Sequence, residues 1–343
     1  MDNNKKKVLL ISMRGGFGHL KAGEALFEYA QKNLPNIDIK HVDVQSISPI
    51  FKGYDKIYEI ITKKIPIIWE LMYKNTFVFA LIRDTLFLKG LLSVGIKRYI
   101  KRNNPDSIIF TNVTVLSLFP FNFKKFFPNI KIGVLVTDYH GHPYYKFSYV
   151  DYYFVPSKKV VLDFQKIGIN KEKIVVTGIP INPRFYIKQK VSDLKLKYGV
   201  NNGLPVVLLI ASFRARKRDL ISLVRQLLEF KSKINLIFIA NANQELFNEI
   251  KNYFNGYERF SVVNWTNFIE EYIKISDVVI SKAGGLTVTE CLTLKKPMII
   301  INPIPGQEEY NAGFVEKNNF GIRVKSINEI VTILPEMILA SKN

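Results

Sequence analysis

The stretch DVVISKAGGLTVTECLTLKKPMIIIN (277–302) holds, in order, a short apolar run, a small-residue turn, a stretch of helical character and a second apolar run. Strand, glycine turn, helix and strand make a βαβ unit, and its two strands must be parallel. The same alternation extends outward from it. Towards the N-terminus, PVVLLIAS (205–212), INLIFIAN (234–241) and FSVVNW (260–265) complete one set of strands. Before a linker lies another set: VLLIS (8–12), SIIFTN (107–112), KIGVLVTD (131–138), DYYFVPS (151–157) and KIVVTG (173–178). Unbroken apolar runs bounded by polar turns suit strands covered by helices on both faces. Two α/β domains fit the pattern better than one sheet of ten strands. The break is expected near GIPINPRF (178–185), where two prolines interrupt the pattern and the charged stretch KQKVSDLKLK follows. This gives an N-terminal domain over 1–182 and a C-terminal one over 188–335, with the C-terminal tail free to return to the first.

The chain has 343 residues, 48% of them hydrophobic, enough for two packed cores. One cysteine, Cys291, excludes an internal disulfide framework, and MDNNKKKVLLIS does not carry the pattern of a secretory signal. A cytoplasmic setting is expected. Apolar runs such as Phe77 to Ile82 fall far short of the roughly 20 residues that span a bilayer. Lys and Arg outnumber Asp and Glu 49 to 29, giving a net charge of +20. Such a field attracts polyanions, nucleic acid and anionic lipid alike, although a Lys-rich and Ile-rich proteome would also produce it.

Residues 51–102 depart from the alternation. They hold no clear parallel strand, many aromatic and aliphatic side chains, and 11 Lys and Arg against 4 acids. The segment reads as basic amphipathic helices. These suit a membrane interface, with Trp69, Phe77, Phe79 and Phe87 among the apolar anchors and the lysines meeting anionic head groups. The same pattern also suits packing on the domain, or an entry for an acyl chain.

Three motifs carry candidate chemistry. In SMRGGFGHLKAGEAL (12–26), Gly15, Gly16 and Gly18 turn the chain from a strand into a helix on which Leu20, Gly23, Phe27, Ala30 and Leu34 recur at helical spacing. Glycines allow close backbone approach to a ligand, and the new helix presents N–H groups. His19 falls in the first helical turn, where the dipole disfavours the imidazolium and leaves a base near neutral pH. A histidine there can equally be the first polar residue of a helix. In VTDYHGHPYYKF (136–147), Asp138, His140, His142 and several tyrosines follow the end of a strand, where side chains face a binding crevice. A metal site from Asp138, His140 and His142 has the residue types but lacks a fourth ligand and the usual helical spacing. In the third motif, the N–H groups of Gly285, Leu286 and Thr287 can converge on a diphosphate, Glu290 lies one turn on, and Gln307 and Glu308 of PIPGQEEYNAGF suit the hydroxyls of a sugar.

In order and spacing, GGFGHLKAGEAL, TDYHGHPYY, VTGIPINPRF and SKAGGLTVTECL followed by PIPGQEEYNAGF resemble the monogalactosyldiacylglycerol synthase and processive diacylglycerol glucosyltransferase family. These are glycosyltransferase family 28-like enzymes, relatives of the lipid-linked muramyl-pentapeptide N-acetylglucosaminyltransferase. The resemblance covers nearly the whole chain. It implies the GT-B fold, two Rossmann-like domains with parallel sheets facing across a cleft, the donor held mainly by the C-terminal domain and the acceptor by the N-terminal one. It implies an inverting hexosyltransferase that uses a UDP-sugar and a diacylglycerol-type lipid, needs no metal or other cofactor, and sits peripherally on the anionic inner face of the cell membrane. Carried over, His19 is the base, Gly284, Gly285, Leu286 and Thr287 the diphosphate cradle, Glu290 the ribose contact and Gln307 with Glu308 the hexose contacts. Trp265 to Phe268 would hold the uracil, with Ser212 also on the donor side. Gly16, Gly18, Asp138, His142 and Tyr145 would line the acceptor side.

The chain departs from the family's pattern at Phe17, at Tyr145 where Trp is common, and at ASFRARKRD (211–219), where many relatives carry a glycine-bearing loop. Arg214, Arg216, Lys217 and Arg218 could reach donor phosphate or anionic lipid, or form a solvated loop. Two other readings of the same fold are a transferase for another lipid-linked acceptor and a UDP-sugar epimerase. The latter has no use for a membrane-facing segment. A basic nucleic-acid-binding protein is disfavoured because the charge is spread along the chain and no recognition motif is present.

Overall fold

The computed structural model describes residues 5–341 apart from 16, 55–57, 59, 76–91, 120–122, 202 and 231–232, with the side chains of 63, 64, 66, 68 and 72 also left undescribed. The chain divides into two compact units, 1–183 with 305–307, and 184–304 with 308–343.

The first unit is a six-stranded parallel sheet with the order β2-β1-β3-β4-β5-β6. Its strands are β1 (Lys6–Ser12), β2 (Ile37–Asp43), β3 (Ser107–Phe110), β4 (Lys131–Leu135), β5 (Tyr152–Val155) and β6 (Ile174–Val176). Leu9, Ile11, Ile108, Phe110, Ile132 and Val134 of the inner strands are buried with Phe123, Tyr153 and Phe164 in one core. Each such side chain contributes about 1.5–3 kcal/mol by leaving water. The Gly18–Asn33 helix returns across β1 with Ala22, Gly23, Ala25 and Ala30 inward. A Cβ on Gly23 would stand 2.5 Å from His41 Nε2 and 2.6 Å from Ser12 Oγ, so the helix can lie this close only with glycine there.

The second unit repeats the layout with another winding, β12-β11-β10-β7-β8-β9. Its strands are β7 (Val206–Ile210), β8 (Asn235–Ile239), β9 (Phe260–Val263), β10 (Val278–Ser281), β11 (Met298–Ile301) and β12 (Gly321–Val324). Every residue of β7, β8, β10 and β11 is buried, as strands covered on both faces require. Leu209, Phe238, Ile280 and Ile299 pack with Leu223 and Leu227 of the Lys217–Leu228 helix. The Ile327–Ala340 helix belongs to this unit, and its Met337 and Ile338 join the same core.

Two strands, β2 and β12, are additions to the ten runs visible in the sequence. Both are sheet edges, where one side of the strand is open and polar residues are tolerated. In β2 the residues IDIKHVD are mostly accessible, and in β12 only Val324 is buried. At the amino ends of the strands a single device recurs. Asp106 accepts the Lys7 N–H (2.8 Å), Asp151 the Ile132 N–H (2.8 Å) and Asp277 the Val206 N–H (2.7 Å). These carboxylates hold the ends of the sheets that carry none of the candidate chemistry.

Candidate active site

In a parallel sheet the strand order reverses direction at one point, and the crevice beyond the carboxyl ends of the strands there is the natural ligand position. In the first unit this point lies between β1 and β3. The turn after β1 delivers His19, second residue of the Gly18–Asn33 helix, to that place. His19 Nδ1 lies 2.7 Å from the Thr111 carbonyl oxygen, just beyond β3, and 3.1 Å from Thr137 Oγ1, just beyond β4. A carbonyl can only accept, so Nδ1 carries the proton and Nε2 keeps the lone pair. Burial lowers the imidazole pKa, partly opposed by the nearby Asp138 carboxylate and by the Thr111 carbonyl. The result is a neutral imidazole of fixed tautomer, with an unprotonated nitrogen. A further chain supports it: Thr111 Oγ1 donates to Ser12 Oγ (2.8 Å), and Ser12 Oγ is 2.7 Å from His41 Nε2. Thr111, Thr137 and Ser12 were not singled out in the sequence. Their only signal was a polar residue closing an apolar strand.

Gly18 starts the helix and Gly15 opens the turn, whereas Gly16 lies outside the described residues. Asp138 and His142 are both buried in the loop that follows β4. The histidine spends both nitrogens on backbone. His142 Nε2 donates to the Tyr73 carbonyl (2.8 Å), and Nδ1 accepts the Tyr144 N–H (3.1 Å). It therefore staples the Pro66–Lys74 helix to this loop instead of offering a nitrogen to an acceptor. The Tyr145 ring packs against Phe164 in the core at 5.4 Å, and burial together with the nearby Asp138 carboxylate raises its hydroxyl pKa well above the ordinary tyrosine value. His140 Nδ1 stands 3.4 Å from an Asp163 carboxylate oxygen. Among the described residues no three His, Cys, Asp or Glu side chains gather as metal ligands.

The basic segment meets the site through its aromatic residues. Tyr58 and Trp69 stack edge-on at 5.4 Å, Trp69 and Tyr73 lie at 6.2 Å, and Tyr73 and His142 at 4.4 Å. Trp69 and Tyr73 are one helical turn apart, so they share a face of the Pro66–Lys74 helix. Ile67 and Leu71 share another, where they are 70% and 64% exposed. The anchors expected at Phe77, Phe79 and Phe87 lie outside the described residues. Among the described residues no helix is long and apolar enough to cross a membrane.

In the second unit the order reverses between β7 and β10. Ser212 Oγ, after β7, lies 3.1 Å from Ser281 Oγ at the end of β10. Gly284 caps the Gly285–Thr293 helix in extended conformation, and the first helical bond runs from Val288 N–H to the Gly284 carbonyl (2.9 Å). The N–H groups of Gly285, Leu286 and Thr287 thus have no acceptor within the helix and point to its N-terminal side. Glu290 is buried on the same helix. Gln307 and Glu308 begin the Gln307–Lys317 helix after Gly306, whose φ of +75° favours glycine. Glu308 is buried and ion-paired with Lys282, a residue sequence reasoning passed over inside SKAGG. Trp265 and Phe268 are 39% and 47% exposed, and the Arg184 guanidinium lies 5.0 Å above the Phe268 ring. Arg216 pairs with Asp219 (2.7 Å), which Arg218 also approaches (3.6 Å), and Lys217 pairs with Glu245 of the Gln244–Tyr253 helix.

Residues 19–181 match the family Monogalactosyldiacylglycerol (MGDG) synthase, and residues 215–343 match the Glycosyltransferase family 28 C-terminal domain. The two matches fall one in each half of the chain and together span most of it. Two curated relatives are named processive diacylglycerol beta-glucosyltransferase. That of Staphylococcus epidermidis is 27% identical over 98% of this chain and 86% of its own length. That of Staphylococcus saprophyticus is 26% identical over 94% and 82%. Among solved structures, the UDP-GlcNAc 2-epimerase of Neisseria meningitidis matches with a TM-score of 0.60 at 14% identity, covering 98% of this chain and 94% of that one. MurG of Acinetobacter baumannii matches with 0.57 at 12% identity over 98% and 94%. These likenesses establish the GT-B fold of two Rossmann-like domains. The chain is an enzyme, a glycosyltransferase; His19, Asp138, His142 and Tyr145 lie in the first matched region, and Trp265, Phe268, Gly284 to Thr287, Glu290, Gln307 and Glu308 in the second.

Proposed function

We propose that the enzyme transfers a hexose, with inversion, from a UDP-sugar to diacylglycerol or a glycosyl-diacylglycerol at the cytoplasmic face of the membrane. The observation that carries this is the tautomer of His19. With Nδ1–H held by the Thr111 carbonyl, Nε2 is ready to take the proton of an acceptor hydroxyl. The oxygen so freed forms a bond to the anomeric carbon while the bond from that carbon to the diphosphate breaks. The electron pair leaves with UDP, and the N–H groups of Gly285, Leu286 and Thr287 stabilise the charge that develops there. One displacement inverts the centre. No step in this sequence calls on a metal. Glu290 suits ribose hydroxyls, Gln307 and Glu308 suit the hexose, and Trp265 to Phe268 suit the base.

The acceptor is supported by the names of the relatives and by the Pro66–Lys74 helix. Its aromatic face leads through Tyr73 to His142, and its other face exposes Ile67 and Leu71. An exposed apolar pair suits a bilayer surface, and an epimerase has no use for it. The deciding experiment incubates the protein with labelled UDP-glucose, UDP-galactose or UDP-N-acetylglucosamine and mixed lipids, with and without a chelator. Label in a lipid product that persists with the chelator is expected. Label recovered only as an epimerised nucleotide sugar would sink the proposal, and loss of product with the chelator would sink its metal independence.

A further inference from the structure

Lys282 lies three residues before the start of the Gly285–Thr293 helix, at the end of β10. Its ammonium is bound to Glu308 Oε1, and the other carboxylate oxygen of Glu308 accepts the Ile304 N–H at 2.9 Å. The glutamate side chain is 5% exposed and the lysine side chain 25%. Glu308 is therefore the fixed member and Lys282 the one that reaches solvent. The position that a Cβ of Gly284 would take is 3.4 Å from Lys282 Nζ, 3.7 Å from Glu308 Oε1 and 3.9 Å from Thr287 Oγ1. A cation, an anion and a hydroxyl thus border one small space at a helix N-terminus, and glycine leaves that space unfilled.

A buried carboxylate needs its counter-ion when nothing else is bound. A diphosphate placed against the helix start would bring further negative charge next to Glu308, which repels it unless a cation stands between them. We infer that Lys282 exchanges part of its hold on Glu308 for the donor's diphosphate, and that Glu308 Oε1, loosened by this exchange, becomes the acceptor for a hexose hydroxyl. The inference rests on the UDP-sugar reading of the site. It makes Lys282 the group that follows the leaving UDP, and it ties sugar recognition to diphosphate binding, since Glu308 is released only when phosphate oxygens replace it at the ammonium.

The test uses the whole chain and UDP, which has the diphosphate but no hexose for Glu308 to grip. Calorimetry should show Lys282→Met weakening UDP by about tenfold or more, the loss of one charged hydrogen bond, with uridine binding unchanged. The double variant Lys282→Met/Glu308→Gln removes the stranded carboxylate. Its melting temperature should return towards that of the wild type while UDP affinity stays low. Recovery of UDP affinity in the double variant would show that Lys282 only neutralises Glu308, and would overturn the inference. Unchanged UDP affinity in Lys282→Met would overturn it too, and an equal loss of uridine and UDP would do so by pointing to general damage. If the wild-type protein binds no UDP, the donor reading itself fails, a result distinct from each of these.

Discussion

His19 Nδ1 and the Thr111 carbonyl oxygen, 92 residues apart in the chain, lie 2.7 Å apart and so decide which nitrogen of the imidazole is a base. Replacing His19 with Ala should reduce transfer by about 100-fold to 10,000-fold, the usual worth of a positioned general base. UDP affinity should be unchanged. Steady-state turnover and UDP calorimetry on the same preparation check both halves, and retained turnover would remove His19 from the chemistry.

The acid limb of kcat/KM should lie below the ordinary histidine value of about 6.5, because burial favours the neutral ring. Activity is then kept as the pH falls past that value and lost only at lower pH. A pH–rate profile with its acid limb above about 6.5 would contradict the assignment of the base to this environment.

Gly23→Ala should destabilise the first domain by about 1–3 kcal/mol, since the added methyl would push against His41 and the Ser12 hydroxyl. Both groups belong to the chain of bonds behind Thr111, so turnover should fall along with the melting temperature. Thermal unfolding and an assay well below the transition measure the two effects separately.

The stapling role of His142 predicts that His142→Ala lowers stability by about 1–3 kcal/mol through two lost hydrogen bonds. The KM for the lipid acceptor should rise while UDP affinity holds. A selective loss of UDP binding would place His142 in the donor site instead.

Ile67→Glu combined with Leu71→Glu should weaken binding to anionic vesicles by about tenfold or more, because each side chain gives up about 1.5–3 kcal/mol of burial. Activity towards a short-chain, water-soluble acceptor should persist. Flotation assays over a salt series test this, and unaltered flotation would remove this face from the membrane contact.

Much of this was legible in the sequence for one physical reason: inner parallel strands are apolar throughout, so VVLLI, NLIFI and MIII announce themselves. Of the four edge strands, β6 and β9 were visible but β2 and β12 were not, because one open side lets IDIKHVD carry Lys40 and His41, and it reads as a polar loop. Glycine turns followed by polar residues marked the carboxyl ends of β1 and β10. Which nitrogen of His19 keeps its lone pair, and that His142 spends both of its nitrogens on backbone, was not legible, because the carbonyls of Thr111 and Tyr73 that decide it come from distant segments. The same holds for Tyr145, whose chemistry suggests a ligand and whose packing makes it core.

The position of the reversal within each sheet has a consequence for how specificity can change. Only β2 lies beyond β1 in the first sheet, whereas β8 and β9 both lie beyond β7 in the second. The residues between β2 and β3 therefore leave the first sheet at its margin and rejoin it beside β1, with β4, β5 and β6 ordered independently of their length. Val44, Phe51, Ile96 and Ile100 of that stretch are buried in the core of the first sheet, so a change of specificity made there must keep these four side chains in place.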